Sequence, residues 1–544
     1  MPGVQHGPTR TWRVAGVEVG VLVDETRRRE LLCAAAGVDP AALRGMRMVK
    51  QSLDARVRDG TRRLRFVLQA DLVLDADHRS AALARAIKSG RVVAAPPRDS
   101  LSRPRTHPSR VGARAAVLGS GPAGLFAALV LARNGAKVDL YERGDPVERR
   151  SQPLVRFQRG GPLDPESNLL YGEGGAGTYS DGKIYTRVDD PLEVPILEEL
   201  VACGAPPEIV HDARAHIGTD KLHRVLPALR ARLQSLGVAI HFRSRVVDLV
   251  VEDRRVLAVR TADGERACDL LVVAPGHSAR DTFEMLMARG VVVEPKAFQL
   301  GVRIEHPQEL VDRARHGVGP EADALGAASY GLVSSADGAI ASAHSFCMCP
   351  GGRIVASISE AGHLCTNGMS NSTHSSRWAN AALVATFGPE DFGREPLAGI
   401  AFQRALERRF FEAGGSSYAA PAQRASDFLA RRASAGPLEC SFRFGAIPGR
   451  LDELLPPRVV AALSRALPFW DRVVPGFAGA DGLLVGVETR SACPVRMPRD
   501  RASFRAQGMA NLLPVGEGAG WAGGIMSAAL DGARAAVAWL ESEG

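Results

Sequence analysis

A chain of 544 residues that is 45% hydrophobic and 24% charged has the make-up of a globular protein with room for two to four domains, which excludes a disordered or fibrous polypeptide. The excess of 68 Lys and Arg over 60 Asp and Glu is small and spread along the chain, so nucleic acid is not an expected partner. Eight cysteines lie scattered with no C-x-x-C and no zinc spacing, which argues against a disulfide scaffold and a metal site and for reduced thiols in a cytoplasmic protein.

The opening MPGVQHGPTRTWRV has no apolar stretch, so no secretory signal is expected. Residues 12–95 read as a small α+β module. WRVAGVEVGVLV and RLRFVLQADLVLDA alternate like strands, and RRRELLCAAAGV and HRSAALARAIKSG have helical spacing. KQSLDARVRDGTRRLR carries two basic clusters, which keeps open an RNA- or protein-binding role for this module, although stacking aromatics are missing from it. AAPPRDSLSRPRTHPSR, residues 94–110, has the Pro, Ser and Arg content of a linker.

From Ala113 the pattern changes. AAVLGSGPAGLFAALVLARNGAKVDLYE predicts strand, glycine turn, helix, stop at Asn134-Gly135, and a second strand. Residues 115–132 carry no charge, close to the length of a membrane span, but the Gly, Ser and Pro in their middle favour the strand–turn–helix; no membrane association is expected. The stretch from His223 to Gly276 predicts a helix and several strands ending in the buried run LLVVAPG. Residues 290–480 mix strands, helices and loops and read as an inserted domain. The end of the chain, NLLPVGEGAGWAGGIMSAALDGARAAVAWL, is again strand, glycine turn and helix.

The string G-x-G-x-x-G occurs three times, at Gly119-Gly121-Gly124, Gly172-Gly174-Gly177 and Gly518-Gly520-Gly523. A dinucleotide site needs a strand before it, a helix after it and an acid about 20 residues on. The first string meets all three conditions, with Glu142 18 residues after Gly124. Gly119, Gly121, Pro122, Ala123 and Gly124 are then the pyrophosphate turn, and Glu142 accepts from ribose hydroxyls. Arg143 keeps a 2′-phosphate open. The third string feeds a helix but no second strand follows. The second string is followed by TYSDGKIYTR, which predicts no helix, and as a P-loop it lacks the hydroxyl after Lys183, where Ile184 stands. A glycine-dense loop carrying Gly174, Gly175, Gly177, Ser180, Asp181 and Lys183 suits a planar ring, with hydrogen bonds to the ring edge.

One complete βαβ turn ending in Glu142, together with the late VGEGAGWAGG helix start, resembles the two-part FAD site of the glutathione-reductase-like flavoproteins. The resemblance implies that Glu517 meets the ribityl chain, where Asp is commoner, that Gly523, Gly524, Ile525 and Met526 serve the pyrimidine end, and that Gly516 is among the cofactor-binding residues. GEGGAGTYSDGK (172–183), APGHSARDTFEML (274–286), GVRIEHP (301–307), FCMCPGG (346–352), NGMS (367–370), VETRSACPVRMPRD (487–500), VGEGAGWAGGIMSAALDG (515–532) and VKQSLDAR (49–56) are similar to the bacterial NAD(P)/FAD-dependent oxidoreductases with a small N-terminal domain. Cys493 departs from the small hydroxyl residue expected there. The resemblance also puts Val246, Ala274 and Gly276 among the cofactor-lining residues.

It implies an α/β fold: a Rossmann-like, glutathione-reductase-like FAD-binding domain from 111–289 and 481–544, an inserted α+β substrate domain over 290–480, and a small N-terminal α+β domain over 1–110. The implied activity is that of an FAD-dependent dehydrogenase or reductase acting on a small organic substrate, with NAD(P)H as an open, transient co-substrate; an FAD-dependent monooxygenase is the enzymatic alternative. Lys183, His277 and Arg490 are the candidates for catalytic side chains facing flavin or substrate, each with a structural hydrogen bond or a solvated side chain as its alternative. A histidine in such a place is expected to titrate near neutrality.

Overall fold

The chain is described by a computed structural model that covers residues 8–58, 61–97, 101, 106–186 and 188–543. It divides into two units, one of residues 1–99, 206–215 and 312–328 and the other of the remainder.

In the first unit, alternating apolar residues place Val14, Leu68, Ala70, Leu72 and Leu74 in one core. The strands are β1 (Thr9–Gly20), β2 (Gly45–Asp54), β3 (Arg65–Asp75) and β4 (Val92–Ala94), in the order β2-β3-β1-β4. The helices are α1 (Glu25–Ala36), whose Asp24 cap accepts from the Arg27 amide, and α2 (Ala81–Lys88). The segment that carries the two basic clusters begins in β2, and several cations of this unit are paired. Arg13 and Arg47 share Asp71, Arg44 meets Asp75, and Arg56 meets Asp54. The N-terminal module is also not confined to the first 110 residues, because 206–215 and 312–328 join it. Much of the expected linker, 98–100 and 102–105, lies outside the described residues.

The second unit holds the glycine strings. β5 (Arg114–Leu118), β6 (Lys137–Tyr141), β7 (Ala239–His241), β8 (Leu270–Val273) and β9 (Leu512–Pro514) form one parallel sheet in the order β9-β8-β5-β6-β7. The run PAGLFAALVLAR makes α3 (Pro122–Arg133), in which all residues from Ala123 to Ala132 are buried, as a helix packed within a large core must be. Proline occupies its first turn, where the missing amide costs nothing. The last helix, α5 (Ile525–Glu541), packs on α3 through small residues: a Cβ at Gly516 would lie 2.8 Å from Ala123 Cβ, and one at Gly532 would strike the Ala123 carbonyl. Residues on both sides of the long insertion thus build one sheet and one helix pair. No described helix is long and apolar enough to cross a membrane.

A seven-stranded sheet runs through the inserted region. Its central strand, Phe298–Pro307, pairs antiparallel with Trp378–Phe387 on one side and with Leu483–Glu488 on the other. The boundary expected at 480/481 therefore needs correcting. Leu483–Glu488 is held in the insertion's sheet by backbone pairing to Phe298–Pro307 and Ala420–Arg424, and the return to the parallel sheet comes after it.

Candidate active site

The first glycine turn leaves β5 and enters α3. Gly119 has φ +101°, and a Cβ there would run into the Ala274 carbonyl of the turn after β8; a Cβ at Gly124 would collide with the Gly119 carbonyl. Both glycines are demanded by packing. Gly121 is different. Its φ of −72° suits any residue, and nothing lies within 4 Å of where its Cβ would be. The same holds for Gly523 at the entrance of α5, which is exposed and has open space where a Cβ would go. Two long helices therefore begin at glycines that the protein's own packing does not require.

The 172–183 loop lies beside both helix starts. The Gly174 amide donates to Ser120 O at 2.9 Å, a Cβ on Gly175 would come within 3.3 Å of Gly121 Cα, and one on Gly177 within 2.9 Å of the Ile525 side chain. Gly174 and Gly175 have φ of +81° and +65°, the left-handed region that favours glycine, and Gly175–Tyr179 winds into a short 3-10 turn. The loop is gripped from below by Arg150 on α4 (Val147–Gln158), which is fully buried. Its guanidinium donates to the carbonyls of Asn168, Leu169, Glu173 and Gly175 at 2.7–3.0 Å. Sequence reading missed Arg150, because RR in a helix looks like a solvated face.

Glu142, at the end of β6, is buried and its carboxylate already has four donors. Oε2 accepts from Ser120 N and Ser120 Oγ at 2.9 and 2.6 Å, and Oε1 from Gly144 N and Gly172 N at 2.9 and 3.0 Å. Of these, only the Ser120 hydroxyl can turn away to admit another donor. Arg143 is engaged by Glu166 and Asp281 and stacks on Tyr171, so its guanidinium is not free for a 2′-phosphate. Val246 is a core side chain packed with Tyr141 and Leu249, which leaves only its backbone to meet a ligand. Ala274 and Gly276 lie in the turn after β8, and a Cβ on Gly518 would come within 2.5 Å of Gly276 O.

Glu517 lies between Gly516 and Gly518 in that late turn. Among the described residues no donor is hydrogen-bonded to its carboxyl, and burial pushes its pKa up to about 8, tempered by Lys296. Cys493 nearby is fully buried, donates to Gly518 O at 3.6 Å, and is pushed up to about 12 by burial. It is a protonated packing thiol.

The three candidate catalytic side chains fall into two groups. Lys183 Nζ is 3.0 Å from Asp181, which also accepts from Ser370 Oγ and lies 3.4 Å from His374 Nε2. Lys183 donates as well to Met348 O. Burial alone would raise the Asp181 carboxyl, but Lys183, His374 and Ser370 hold it well below the ordinary carboxylate range. Ser180 is turned inward on its own loop, donating to Gly177 O and accepting from the Gly182 amide. His277 and Arg490 belong to another cluster, around Glu407. Arg490 was expected to face flavin or substrate, but all three of its nitrogens are spent. Nε and Nη2 donate to Glu407 at 2.9 and 2.8 Å and Nη1 to Ser359 Oγ at 2.7 Å. Arg280 and the Thr489 hydroxyl complete the fully buried Glu407 knot. Nor does His277 titrate near neutrality: burial and the charges of Arg490 and Arg280 push it down to about 4. At neutral pH it is an uncharged imidazole, with Nδ1 2.8 Å from Ser278 Oγ.

Three family matches cover parts of the chain: "FAD-dependent protein, C-terminal domain-like" over residues 297–491, "FAD dependent oxidoreductase" over 215–340, and "NAD(P)-binding Rossmann-like domain" over 117–151. An uncharacterized protein of Clostridium beijerinckii (strain ATCC 51743 / NCIMB 8052) is 43% identical over 429 residues, covering 78% of this chain and 80% of that one. The chain belongs to the FAD-dependent oxidoreductase family. Among solved structures, glycine oxidase from Bacillus cereus ATCC 14579 aligns at 11% identity over 79% of this chain and 98% of that one, with a TM-score of 0.31. The E. coli quinol fumarate reductase FrdA aligns at 13% identity over 79% and 69%, with a TM-score of 0.36.

The oxidoreductase's own residues fit the cofactor its family implies. Open space in front of Gly121 and Gly523 is what a ligand running between two helix N-termini requires. Glu517, a carboxyl with no donor of its own, suits a hydroxyl-bearing chain. The candidates do not converge on one point: Lys183 and Asp181 form one polar group and His277 and Arg490 another.

Proposed function

We propose that this oxidoreductase is an FAD-dependent dehydrogenase or reductase that acts on a small organic substrate by hydride transfer. The observation that carries the reading is the pair of helix starts at Gly121 and Gly523, each open where a side chain would stand, with the unpartnered Glu517 carboxyl in the turn before Gly523. In this reading the amides and positive end of α3 hold the pyrophosphate. Glu142 takes the adenosine ribose as the Ser120 hydroxyl rotates away. Glu517 accepts from the ribityl chain, and the start of α5 sets positive potential at the pyrimidine end. Bound FAD would supply the two-electron chemistry.

Lys183 and Asp181 then orient substrate or ring edge as a fixed ion pair; neither exchanges a proton at neutral pH, since Asp181 is held ionised and Lys183 is held protonated, its burial outweighed by the negative groups around it. His277 serves as a neutral hydrogen-bonding group and not as an acid. The FAD-binding domain is taken to comprise residues 111–205 and 216–289 and the chain beyond Glu488. Only one complete βαβ dinucleotide turn is found among the described residues, so NAD(P)H, as reductant, would visit and leave.

A visible spectrum of the purified protein, followed by anaerobic mixing with NADH, NADPH and a panel of small hydroxy, amino and carbonyl compounds, tests this. Flavin bleaching by one class with recovery of its oxidised product is the expected outcome. A protein that neither carries nor takes up flavin sinks the reading. Turnover that consumes oxygen and yields a hydroxylated product replaces it with the monooxygenase.

A further inference from the structure

Cys347 and Cys349 stand at an irregularity of the strand Ala343–Cys349. Its partner advances by two residues, Ala382 to Asn380, while this strand advances by three, Phe346 to Cys349. The extra residue makes a bulge, and Cys347 adopts φ +43°, the left-handed region where a non-glycine residue is uncommon. The bulge is held by two cations. Arg303 donates to Cys347 O at 3.0 Å and lies 3.9 Å from Cys349 Sγ, and Lys183 donates to Met348 O. The Cys349 thiol donates at 3.3 Å to Cys347 O, which sets its sulfur against the neighbouring cysteine. Cys349 is buried and Cys347 is half-buried. Two cysteines on one bulge, one half-buried and one buried with its sulfur against the backbone of the first, beside two cations, are the parts of a thiol–disulfide exchange centre.

We propose that Cys347 and Cys349 form a redox-active dithiol that reduces small disulfides, with Cys347 as the attacking sulfur and Cys349 as the resolving one. The Cys347 thiolate attacks one sulfur of R–S–S–R, forming Cys347–S–S–R and expelling one thiolate. Cys349 then loses its proton to the expelled thiolate and attacks the Cys347 sulfur. The second R–S leaves as a thiolate and an intrachain disulfide closes. Two electrons pass from the dithiol to the substrate disulfide, which becomes two thiols. The substrate is small because only Cys347 of the pair reaches solvent.

The electrostatics agree with these roles. The hydrogen bond from Cys349, with Lys183 and Arg303, brings Cys347 down to about 6 against the opposing burial and Asp181, while Cys349 is pushed well above the ordinary thiol. Cys203, Cys268, Cys365, Cys440 and Cys493 are all raised, chiefly by burial, to about 11 or 12. The proposal stands on the cysteine pair and not on the hydride-transfer reading, which a flavin spectrum tests separately.

The test uses the full chain with its flavin, reduced with dithiothreitol, desalted, and mixed with 5,5′-dithiobis(2-nitrobenzoate). The expected result is a fast phase releasing two equivalents of thionitrobenzoate, with peptide mapping finding a Cys347–Cys349 disulfide. Cys349→Ser releases one equivalent in the fast phase and keeps the mixed disulfide on Cys347. Cys347→Ser loses the fast phase, with release slower by about ten-fold or more. Mapping the wild-type protein at limiting reagent needs no variant: label appearing first on another cysteine, or spread evenly over the eight, overturns the proposal. So does a folded, flavin-bearing Cys349→Ser protein that still releases two equivalents in the fast phase.

Discussion

The first and second glycine strings share one pattern and do opposite things. At 119–124 the pattern ends a strand and opens a 12-residue helix, and its middle glycine has no reason to be glycine within the protein itself. At 172–177 every glycine is accounted for internally. Gly172, Gly174 and Gly175 are left-handed, Gly177 packs under Ile525, and Arg150 ties the backbone down through the carbonyls of Glu173 and Gly175 and, just before the string, of Asn168 and Leu169. A glycine explained by its neighbours belongs to the fold. A glycine at a helix start that nothing nearby explains leaves room for a ligand. That distinction, and not the string, separates the two loops, and it can be broken by mutation.

The largest effect is expected at the clamp. Arg150→Met leaves two carbonyls of the second loop and two just before it without their donor in a buried site, which should cost about 4 kcal/mol of stability. Urea unfolding measures this, and limited proteolysis should cut within 168–183. A loss below about 1 kcal/mol would mean the glycine loop holds its shape unaided. Next comes Gly124→Ala. Its Cβ meets the backbone of the same turn, which cannot give way as a side chain would, so about 3 kcal/mol should be lost whether or not flavin is present.

Gly121→Ala sharpens the contrast. It enters open space at a φ alanine adopts freely, so the stability of the flavin-free protein should stay within about 0.5 kcal/mol of wild type. FAD affinity, measured by calorimetric titration, should fall by about ten-fold or more, roughly 1.4 kcal/mol, because the methyl group occupies the pyrophosphate's approach. Unchanged affinity would remove the ligand from in front of Gly121.

The same distinction explains what could be read from the sequence. The strand, turn and helix from Arg114 to Tyr141 were legible because apolar runs, a glycine turn and the Asn134-Gly135 stop all point one way. The α/β class followed from them. The domain edge near 481 was not legible. Leu483–Glu488 is an apolar run that any sheet could accept, and only pairing to Phe298–Pro307 assigns it. The surroundings of Arg150 and Arg490 were not legible for a common reason: an arginine's burial depends on which carbonyls or carboxylates the fold brings to it, and Glu407 lies far from Arg490 in sequence. His277 is lowered first by burial and then by Arg490 and Arg280, and all three surround it only after folding. Cys347 is lowered first by Cys349 on its own strand and then by Lys183 and Arg303, which belong to other segments.

The smallest effect tests the third string, where Glu517 is the carboxyl without a donor. Its pKa in the folded protein is raised to about 8 by burial, against about 4.3 in an unfolded chain. The folded state therefore holds the proton more tightly. The stability from this group is present in full below about pH 4.3, declines as pH rises through the window up to about pH 8, and is constant above it. Water reaches the carboxyl from its open side, so the decline attributable to Glu517 is expected to be only about 1 kcal/mol. Glu517→Gln should remove that component, making the flavin-free protein slightly more stable near pH 8 and unchanged near pH 4. If hydroxyls of a bound cofactor satisfy the carboxylate, saturation with FAD should flatten the wild-type profile and leave the Glu517→Gln profile as it was. Unfolding of both proteins across that pH range, with and without FAD, reads the result. A wild-type slope that FAD leaves untouched would take Glu517 off the ribityl chain while leaving the Gly121 test standing, and the two glycine-rich helix starts would then have to be assigned to separate ligands.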